Sequence, residues 1–144
     1  MTYMDVLRMP PAVTPETAFF WTAAADGRLE ILRCRACGFW LHPPAPVCRE
    51  CLSLNLAPEQ VSGFGHVYSF TVNHQVWNPV MPPPYVIGIV ELDEQPGLRL
   101  TTNIVGIDPE DVHCGLAVKA LFEPDDEEAG YVLFVPADTD TGSA

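Results

Sequence analysis

Four cysteines occur as two close pairs within one short segment of the chain. Cys34 and Cys37 form the first pair and Cys48 and Cys51 the second, giving the spacing C-x2-C-x10-C-x2-C. Each pair fits a tight turn that points both sulfurs at a common centre, and four thiolates complete the tetrahedral shell that Zn²⁺ prefers. The pattern therefore predicts one metal ion, Zn²⁺, bound by these four side chains.

The ligand set also predicts what the metal does. A catalytic zinc site keeps one position open for water, whereas four cysteines leave none. We therefore predict a structural site that folds a segment with few apolar residues. His42 lies between the pairs, and we interpret it as a surface histidine or a neighbour of the site, not a ligand.

Two disulfides are the alternative use of these cysteines. Disulfides belong to oxidising compartments, and residues 1–25 show no basic region followed by an apolar one, as a secretory signal would. The sequence therefore favours metal over disulfides and predicts a cytoplasmic protein. The longest apolar run is too short to span a bilayer, so no membrane segment is expected.

The charge balance argues against nucleic-acid binding, although many zinc ribbons have that role. The chain has 19 acidic and 7 basic residues, a formal net charge of -12. Contacts to phosphates need clustered Lys and Arg. Arg33, Arg35 and Arg49 lie beside the cysteines, where they offset the negative charge of four thiolates around one Zn²⁺. A single-stranded nucleic-acid-binding module stays as an alternative, with few cations left to support it.

The segment before the cysteines predicts a short helix and a strand. Thr14 can cap the helix, Pro15 suits its first position, and the helix should end near Gly27. The aromatic run Phe19–Trp21 cannot face a single core, so one side of the helix either packs on a partner or is absorbed by the fold. Residues 28–33 alternate in polarity and predict a strand leading into the cysteines.

The second half of the chain reads as five strands with a one-turn helix. The helix is capped by Asp108 and begins at Pro109; it lies between the third and fourth strands. On the first strand the even positions should share one face, and the second should be buried on both sides. The predicted strands are His66–His74, Tyr85–Leu92, Leu98–Val105, Ala117–Phe122 and Tyr131–Val135.

This order predicts a mostly β fold: an N-terminal helix, a zinc ribbon and a five-stranded OB-fold barrel. A five-stranded open sheet sandwich is the competing geometry. The predicted divisions are a helical segment at 1–27, the ribbon at 28–58, the barrel at 59–136 and a disordered tail at 137–144. The acidic run 125–128 predicts a solvated loop within the barrel.

A set of short segments in a fixed order carries a resemblance to a known family. The segments are Phe20-Trp21, Gly27-Arg28-Leu29, Cys34-Arg35-Ala36-Cys37-Gly38, Pro43-Pro44, Cys48-Arg49-Glu50-Cys51, Ser62–Ser69, Pro84-Tyr85-Val86, Val90–Glu94, Asn103–Gly106, Pro109–Val112 and Val118–Glu123. In this order the chain resembles the proteins catalogued as domain of unknown function thirty-five, which join an N-terminal helix, a rubredoxin-like zinc ribbon and an OB-fold.

The resemblance implies an accessory role in acyl-CoA metabolism. Members of that family are partners of thiolase-superfamily enzymes, including steroid side-chain aldolases, or of hot-dog-fold hydratases. In some complexes the OB-fold helps to hold coenzyme A between partners. The resemblance thus implies a hetero-oligomer with a thiolase-like or hydratase-like protein, and a coenzyme A thioester shared with it.

The residues themselves offer no catalytic centre. Thiolase chemistry needs a cysteine activated by a histidine, and Cys114 is the one thiol outside the two pairs. His113 is adjacent to it, and adjacent side chains point apart, so we interpret Cys114 as a small buried hydrophobe. His66 and His74 are interpreted as rim residues. The chain is therefore expected not to be catalytic alone, with a stand-alone acyl-CoA enzyme as the alternative.

Two further expectations concern partners. The proline-rich segment 75–84 carries Trp77, Val80 and Met81, and such a rigid loop suits an interface; the alternative is that it folds over the end of its own barrel. The phosphates of coenzyme A need cations, and few lie outside the ribbon. We therefore expect a composite coenzyme A site in which the partner supplies much of the positive charge; its residues on this chain stay unassigned. The cations other than those beside the cysteines are Arg8, Arg28, Arg99 and Lys119.

Overall fold

The computed structural model describes residues 11–124 and 129–140, which form one helix, eight strands and one 3-10 turn. The predicted acidic loop at 125–128 and the end of the predicted tail, 141–144, lie outside the described residues. The elements are α1 (Ala18–Ala25), β1 (Glu30–Cys34), β2 (Trp40–Leu41), β3 (Leu56–Gln60), β4 (Phe64–Asn73), β5 (Tyr85–Leu92), β6 (Arg99–Ile104), η1 (Pro109–Asp111), β7 (Ala117–Pro124) and β8 (Gly130–Pro136). Within the described residues, no helix is long and apolar enough to cross a membrane.

Helix α1 begins later than predicted. The backbone N–H of Thr14 bonds to Oγ1 of Thr17 at 3.1 Å, and the N–H of Ala18 donates to the Thr14 carbonyl at 2.8 Å. Residues 15–17 form a turn, and Thr17, with φ of -109°, caps the helix in place of Thr14. The end agrees with the prediction, because Gly27 has a positive φ of 78° that stops the helical path.

The helix packs its small residues against the barrel. Ala23 and Ala24 are buried, and Phe20 joins the main hydrophobic core. Gly130 opens β8 beneath the end of the helix, where an added Cβ would lie 2.7 Å from the backbone nitrogen of Ala25. Glycine is therefore needed at position 130 for the close approach of helix and strand.

The ribbon is a three-stranded antiparallel sheet in the order β2-β1-β3. The sequence indicated only β1; β2 has two residues, and β3 contains a proline and is mostly exposed. Each cysteine pair lies on a turn closed by backbone bonds. The Gly38 N–H donates to the Cys34 carbonyl at 2.9 Å, and the Leu52 N–H donates to the Cys48 carbonyl at 2.8 Å. Gly38 and Leu52 occupy matching positions and have φ of 82° and 65°.

The barrel is closed, with strand order β4-β5-β6-β8-β7 and β7 pairing back to β4. All pairs are antiparallel except β6 and β8, which meet in parallel at Ile104 and Phe134. Turn η1 lies between the third and fourth barrel strands, with Asp108 accepting from the Glu110 N–H as predicted. The OB-fold prediction is confirmed, and the open sandwich is excluded.

The prediction that the even positions of β4 share one face holds for Phe70 and Val72, which pack against the core, but is wrong for the start of the strand. A bulge lies between Val67, which pairs with Val90, and Ser69, which pairs with Ile89. The extra residue, Tyr68, is exposed, whereas Val67 is fully buried. A bulge reverses which positions face inward, so a strict period of two cannot describe the whole strand.

The prediction that β5 is buried on both sides was also wrong. Val86 and Val90 face the core, but Ile87 is 38% exposed on the outer side. Gly88 faces inward, where an added Cβ would lie 2.7 Å from the Ile104 side chain. The strand is apolar on both faces, but only one face is covered by this chain.

Ribbon and barrel are joined by one shared core and by one side chain. Leu29, Ile31 and Trp40 belong to the same buried cluster as the barrel residues. The amide of Gln95, in the turn before β6, accepts from the Trp40 N–H and donates to the Trp40 carbonyl, both at 3.0 Å. The Gln95 side chain thus makes the two backbone hydrogen bonds that a neighbouring strand would otherwise make to Trp40 of β2.

We expect Gln95→Ala to lower the free energy of unfolding by about 1–3 kcal/mol, because it removes two part-buried hydrogen bonds at about 0.5–1.5 kcal/mol each. Urea denaturation at fixed zinc concentration measures this change. Gln60→Ala, on the exposed end of β3, is the matched control and should change stability little. Equal effects of the two changes would contradict the role of Gln95.

Leu52→Gly should raise the free energy of unfolding by about 0.5–1 kcal/mol, because a left-handed backbone strains any residue with a Cβ. Leu52 is 75% exposed, so its removal loses little burial. Leu54→Gly is the control: Leu54 is equally exposed but has an ordinary φ, so the change should destabilise. A destabilised Leu52→Gly variant would show that φ at residue 52 stores no strain.

Candidate metal centre and the adjoining groove

The four paired cysteines converge on one point. All four Sγ atoms lie within 4.8 Å of one another, and Cys34–Cys51 and Cys37–Cys48 are each 3.6 Å apart. Zn–S bonds of about 2.3 Å place sulfurs about 3.8 Å apart in a regular tetrahedron. A disulfide needs about 2.05 Å. The arrangement therefore fits a tetrahedral metal ion and not two disulfides.

The fold places one sulfur of each pair inside and one outside. Cys34 ends β1 and is buried, as is Cys48, whereas Cys37 and Cys51 are exposed. The Cys37 backbone N–H is the main cause that lowers the pKa of Cys34 to about 6. At Cys37 the N–H of Phe39 lowers the pKa, but partial desolvation of the sulfur by its neighbours and the contacts with the other thiols outweigh it and raise the value to about 12. The neighbouring thiols lower the pKa of Cys34 and raise that of Cys37, so ionisation of the first opposes ionisation of the second, and a cation removes that opposition.

Arg33 supports the first cysteine turn. Its Nε donates to the Gly38 carbonyl at 2.9 Å, and its guanidinium lies 4.5 Å from the centre of the Trp40 ring. The same guanidinium forms a 3.2 Å ion pair with Glu59. Arg49 lies over the Phe39 ring. Arg33 therefore stabilises the turn by contact, but its charge is shared with a carboxylate.

His42 is not part of the sulfur cluster and is not a simple surface residue. Its ring lies 5.7 Å from that of Phe20, centre to centre, and it is half-buried. Burial lowers the pKa of His42, so it is neutral at pH 7. The histidine belongs to the wall of a groove.

That groove, of about 510 Å³, lies between α1, the segment after β2 and the outer sides of β6 and β8. Its lining is mainly apolar. The hydroxyl of Thr102 donates a hydrogen bond to the Val132 carbonyl at 2.8 Å. The indole Nε1 of Trp21 is buried and has no hydrogen-bond partner among the described residues. The sequence pointed to the aromatic run of α1 as a contact surface but not to the groove, because segments far apart in the chain build it. The lining residues are Thr17, Phe20, Trp21, His42, Pro43, Pro44, Arg99, Leu100, Thr101, Thr102, Asn103, Tyr131, Val132 and Leu133.

Among the described residues that line the groove, Arg99 is the one with a permanent charge. Its Nε lies 3.3 Å from a Glu91 carboxylate oxygen, and its guanidinium lies 3.7 Å from the Tyr68 ring centre. The Gly97 N–H is the main cause that lowers the pKa of Glu91, followed among the lowering causes by Arg99 and His66. Glu91 is therefore ionised at pH 7 and offsets Arg99.

Cys114 is exposed, so its interpretation as a buried hydrophobe was wrong. Val112 is the residue of this segment that enters the core, and Cys114 follows in the turn before β7. The ring nitrogen Nδ1 of His113 lies 3.1 Å from the Asp111 carbonyl. The His113 ring is therefore held by its own backbone segment.

The proline-rich loop 75–84 projects from the barrel. Trp77 is 75% exposed, and Val76 and Val80 are also exposed. This exposure counts against the alternative that the loop folds over the end of its own barrel. His66 is half-buried beside Glu91 on the outer side of β4, and His74 is exposed at the end of that strand.

Two family models match most of the chain. Residues 21–57 match "ChsH2, rubredoxin-like zinc ribbon domain" and residues 58–123 match "ChsH2, C-terminal OB-fold domain". A solved structure described as "Ltp2-ChsH2(DUF35) aldolase" contains a chain 40% identical, with a TM-score of 0.80 over 89% of this chain and 99% of that one. A Sulfolobus solfataricus protein of the DUF35 family, 16% identical with a TM-score of 0.59, shares the fold.

Two curated relatives extend the comparison. A "probable enoyl-CoA hydratase alpha subunit" of Thermomonospora curvata is 40% identical over 91% of this chain, which spans 40% of that relative's length. A "DUF35 domain-containing scaffold protein" of Methanocaldococcus jannaschii is 36% identical over 72% of this chain and 74% of the relative. The ribbon, the barrel and these matches agree: this chain belongs to the ChsH2/DUF35 family of zinc-ribbon and OB-fold proteins.

Proposed function

We propose that this chain is a non-catalytic accessory subunit of a thiolase-superfamily enzyme that acts on acyl-CoA, such as a thiolase or a steroid side-chain aldolase. The observation that carries the proposal is the match to a chain of the Ltp2-ChsH2(DUF35) aldolase, 99% of which this chain covers. The archaeal relatives are named as scaffold proteins, which supports a role in assembly.

A hydratase partner is the second candidate, because two relatives are named as hydratase alpha subunits. The second of these, from Mycobacterium tuberculosis, is a "3-oxo-4,17-pregnadiene-20-carboxyl-CoA hydratase alpha subunit". This chain spans only 40% and 36% of those two proteins. The thiolase-type partner is favoured because the aldolase chain is matched along nearly its whole length.

The metal in this proposal is a structural Zn²⁺ held by Cys34, Cys37, Cys48 and Cys51. Sulfur separations of 3.6 Å support tetrahedral coordination, and two of the four sulfurs come from buried residues. Four protein ligands leave no position for a substrate or for reactive water. The positive charge of the ion would offset the repulsion between the four thiolates. The ion would thereby link the two cysteine turns.

Acyl-CoA binding is proposed to be shared with the partner. The groove beside α1 is concave and apolar, as sites for acyl groups are, but its one charged residue, Arg99, is offset by Glu91. Arg28 and Arg33 are paired with carboxylates as well. The phosphates of coenzyme A would thus need cations from the partner, and the same pairing counts against a nucleic-acid surface.

Affinity purification of the full chain from its native source should recover a thiolase-superfamily enzyme whose acyl-CoA turnover depends on this chain. Steady-state assays of the enzyme with and without the chain measure that dependence. If the chain alone turned over an acyl-CoA, and Cys114→Ala abolished the reaction, the accessory role would be wrong.

Isothermal titration calorimetry should detect weak or no coenzyme A binding to the isolated chain and clear binding to the complex. The physical reason is that three of the chain's seven cations, Arg28, Arg33 and Arg99, are offset by carboxylates. Tight binding of coenzyme A to the isolated chain would contradict a composite site, while leaving the accessory role untouched.

Cys48→Ala should reduce bound zinc to well below one equivalent and lower the melting temperature, because a structural zinc site contributes about 10–16 kcal/mol of apparent binding free energy. Elemental analysis and thermal denaturation measure the two effects. Cys114→Ala is the matched control, since this exposed cysteine lies outside the cluster and its loss should change neither. A zinc-free Cys48→Ala variant that melts like the native chain would refute the structural role.

A further inference from the structure

Most of the hairpin formed by β4 and β5 lacks formally charged side chains in an otherwise acidic chain. Asp, Glu, Lys and Arg are all absent between His66 and Glu91, although the chain has 19 acidic and 7 basic residues. The hairpin carries the exposed side chains Val76, Trp77 and Val80 at its loop and Ile87 on the outer side of β5. A surface without charges loses little solvation free energy when another protein covers it.

The tip residue of this surface is held in place by its own segment. The indole Nε1 of Trp77 donates to Oδ1 of Asn73 at 2.8 Å, and Nδ2 of Asn73 donates to the Gln75 carbonyl at 2.7 Å. A second pair of bonds closes the loop, because Val80 and Met81 both donate to Asn78. The indole is thus ordered while it stays 75% exposed, so ordering on docking costs little entropy.

The bond to Asn73 also determines the chemistry of the surface that fits. A buried indole N–H needs an acceptor, and here the hairpin supplies it. A docking partner therefore needs only an apolar pocket for the ring faces, without an acceptor of its own. Asn73 pairs with Tyr85 and Thr71 with Ile87, so Ile87 lies on the same outer face and extends this surface down the sheet.

We propose that this hairpin surface, consisting of Val76, Trp77, Val80 and Ile87, docks into an apolar pocket of the thiolase-superfamily enzyme. The inference rests on the proposed function, and it assigns Trp77 as the central contact and Asn73 as its positioning residue. A rigid, exposed tryptophan is the residue type that most often dominates the free energy of protein association. The lack of charge removes repulsion at this surface, although the chain as a whole has a net charge of -12.

Biolayer interferometry between the purified enzyme and immobilised full-length chain tests the surface. Trp77→Ala should weaken binding about 30-fold or more, as expected for a central aromatic contact. Leu54→Ala is the matched control: Leu54 is 76% exposed on the ribbon, far along the chain from the hairpin, and its loss should leave affinity within about 2-fold. Equal affinity of the Trp77→Ala variant and the native chain would overturn the proposal.

A second variant separates contact from positioning. Asn73→Ala keeps the indole but removes its acceptor, so binding should weaken about 3- to 10-fold, mainly through slower association of a less ordered loop. A chain labelled with 5-fluorotryptophan gives three fluorine resonances, one for each tryptophan. The resonance of Trp77 should shift strongly when the unlabelled enzyme is added. A shift confined to Trp21 or Trp40 would place the contact elsewhere and overturn the proposal.

The controls distinguish failure of this inference from failure of the proposed function. A native chain that binds no thiolase-superfamily enzyme overturns both. A native chain that binds the enzyme as tightly after Trp77→Ala overturns only the hairpin surface. Sedimentation of the native chain should show monomers; concentration-dependent dimers abolished by Trp77→Ala would identify a second copy of this chain as the occupant and overturn the assignment to the enzyme.

Discussion

The closure of four sulfurs around one point is the constraint on which the rest of the structure depends. The ribbon has little core of its own: its separate buried cluster contains only Cys34, Cys48 and Leu41. So small a cluster cannot hold two turns and three short strands without a further link. A metal-sized cluster of sulfurs, 3.6 Å apart in two pairs, supplies that link at the end of β1. Leu29, just before β1, and Ile31, within it, belong to the main core. The strand that ends at the sulfurs is therefore also anchored in the barrel core.

Helix, ribbon and barrel are therefore packed together as one structural unit. The main core takes residues from all three, and Gln95 binds both backbone groups of Trp40 across the junction. Gly130 lets α1 approach β8 closely enough to complete that body. The groove of about 510 Å³ forms where these parts meet, so its shape depends on their relative positions. A rigid junction of this kind suits a subunit whose task is to present fixed surfaces.

Charge separates two kinds of surface on this acidic chain. On the barrel side, Arg99 is held between Glu91 and the Tyr68 ring, so even the cation at the groove is neutralised locally. Between residues 67 and 90 of the hairpin, Asp, Glu, Lys and Arg are absent, and a tryptophan is exposed with its N–H already bonded to Asn73. The pairing of Arg99 limits the anions that the chain can bind alone. The uncharged surface around Trp77 lowers the desolvation free energy of covering that surface with another protein. Both properties favour a protein that works when assembled with another.

The sequence by itself determined the cluster of four sulfurs, the succession of barrel strands along the chain and the turn capped by Asp108, because these depend on local spacing and local backbone preference. It did not determine which side of a strand is covered: the bulge at Tyr68 reverses the inward face of β4, and Ile87 is left exposed on an apolar strand. Nor did it reveal that Cys114 is exposed or that His42 lines a groove. Burial is a property of what packs opposite a residue, and only the tertiary structure brings those distant neighbours together.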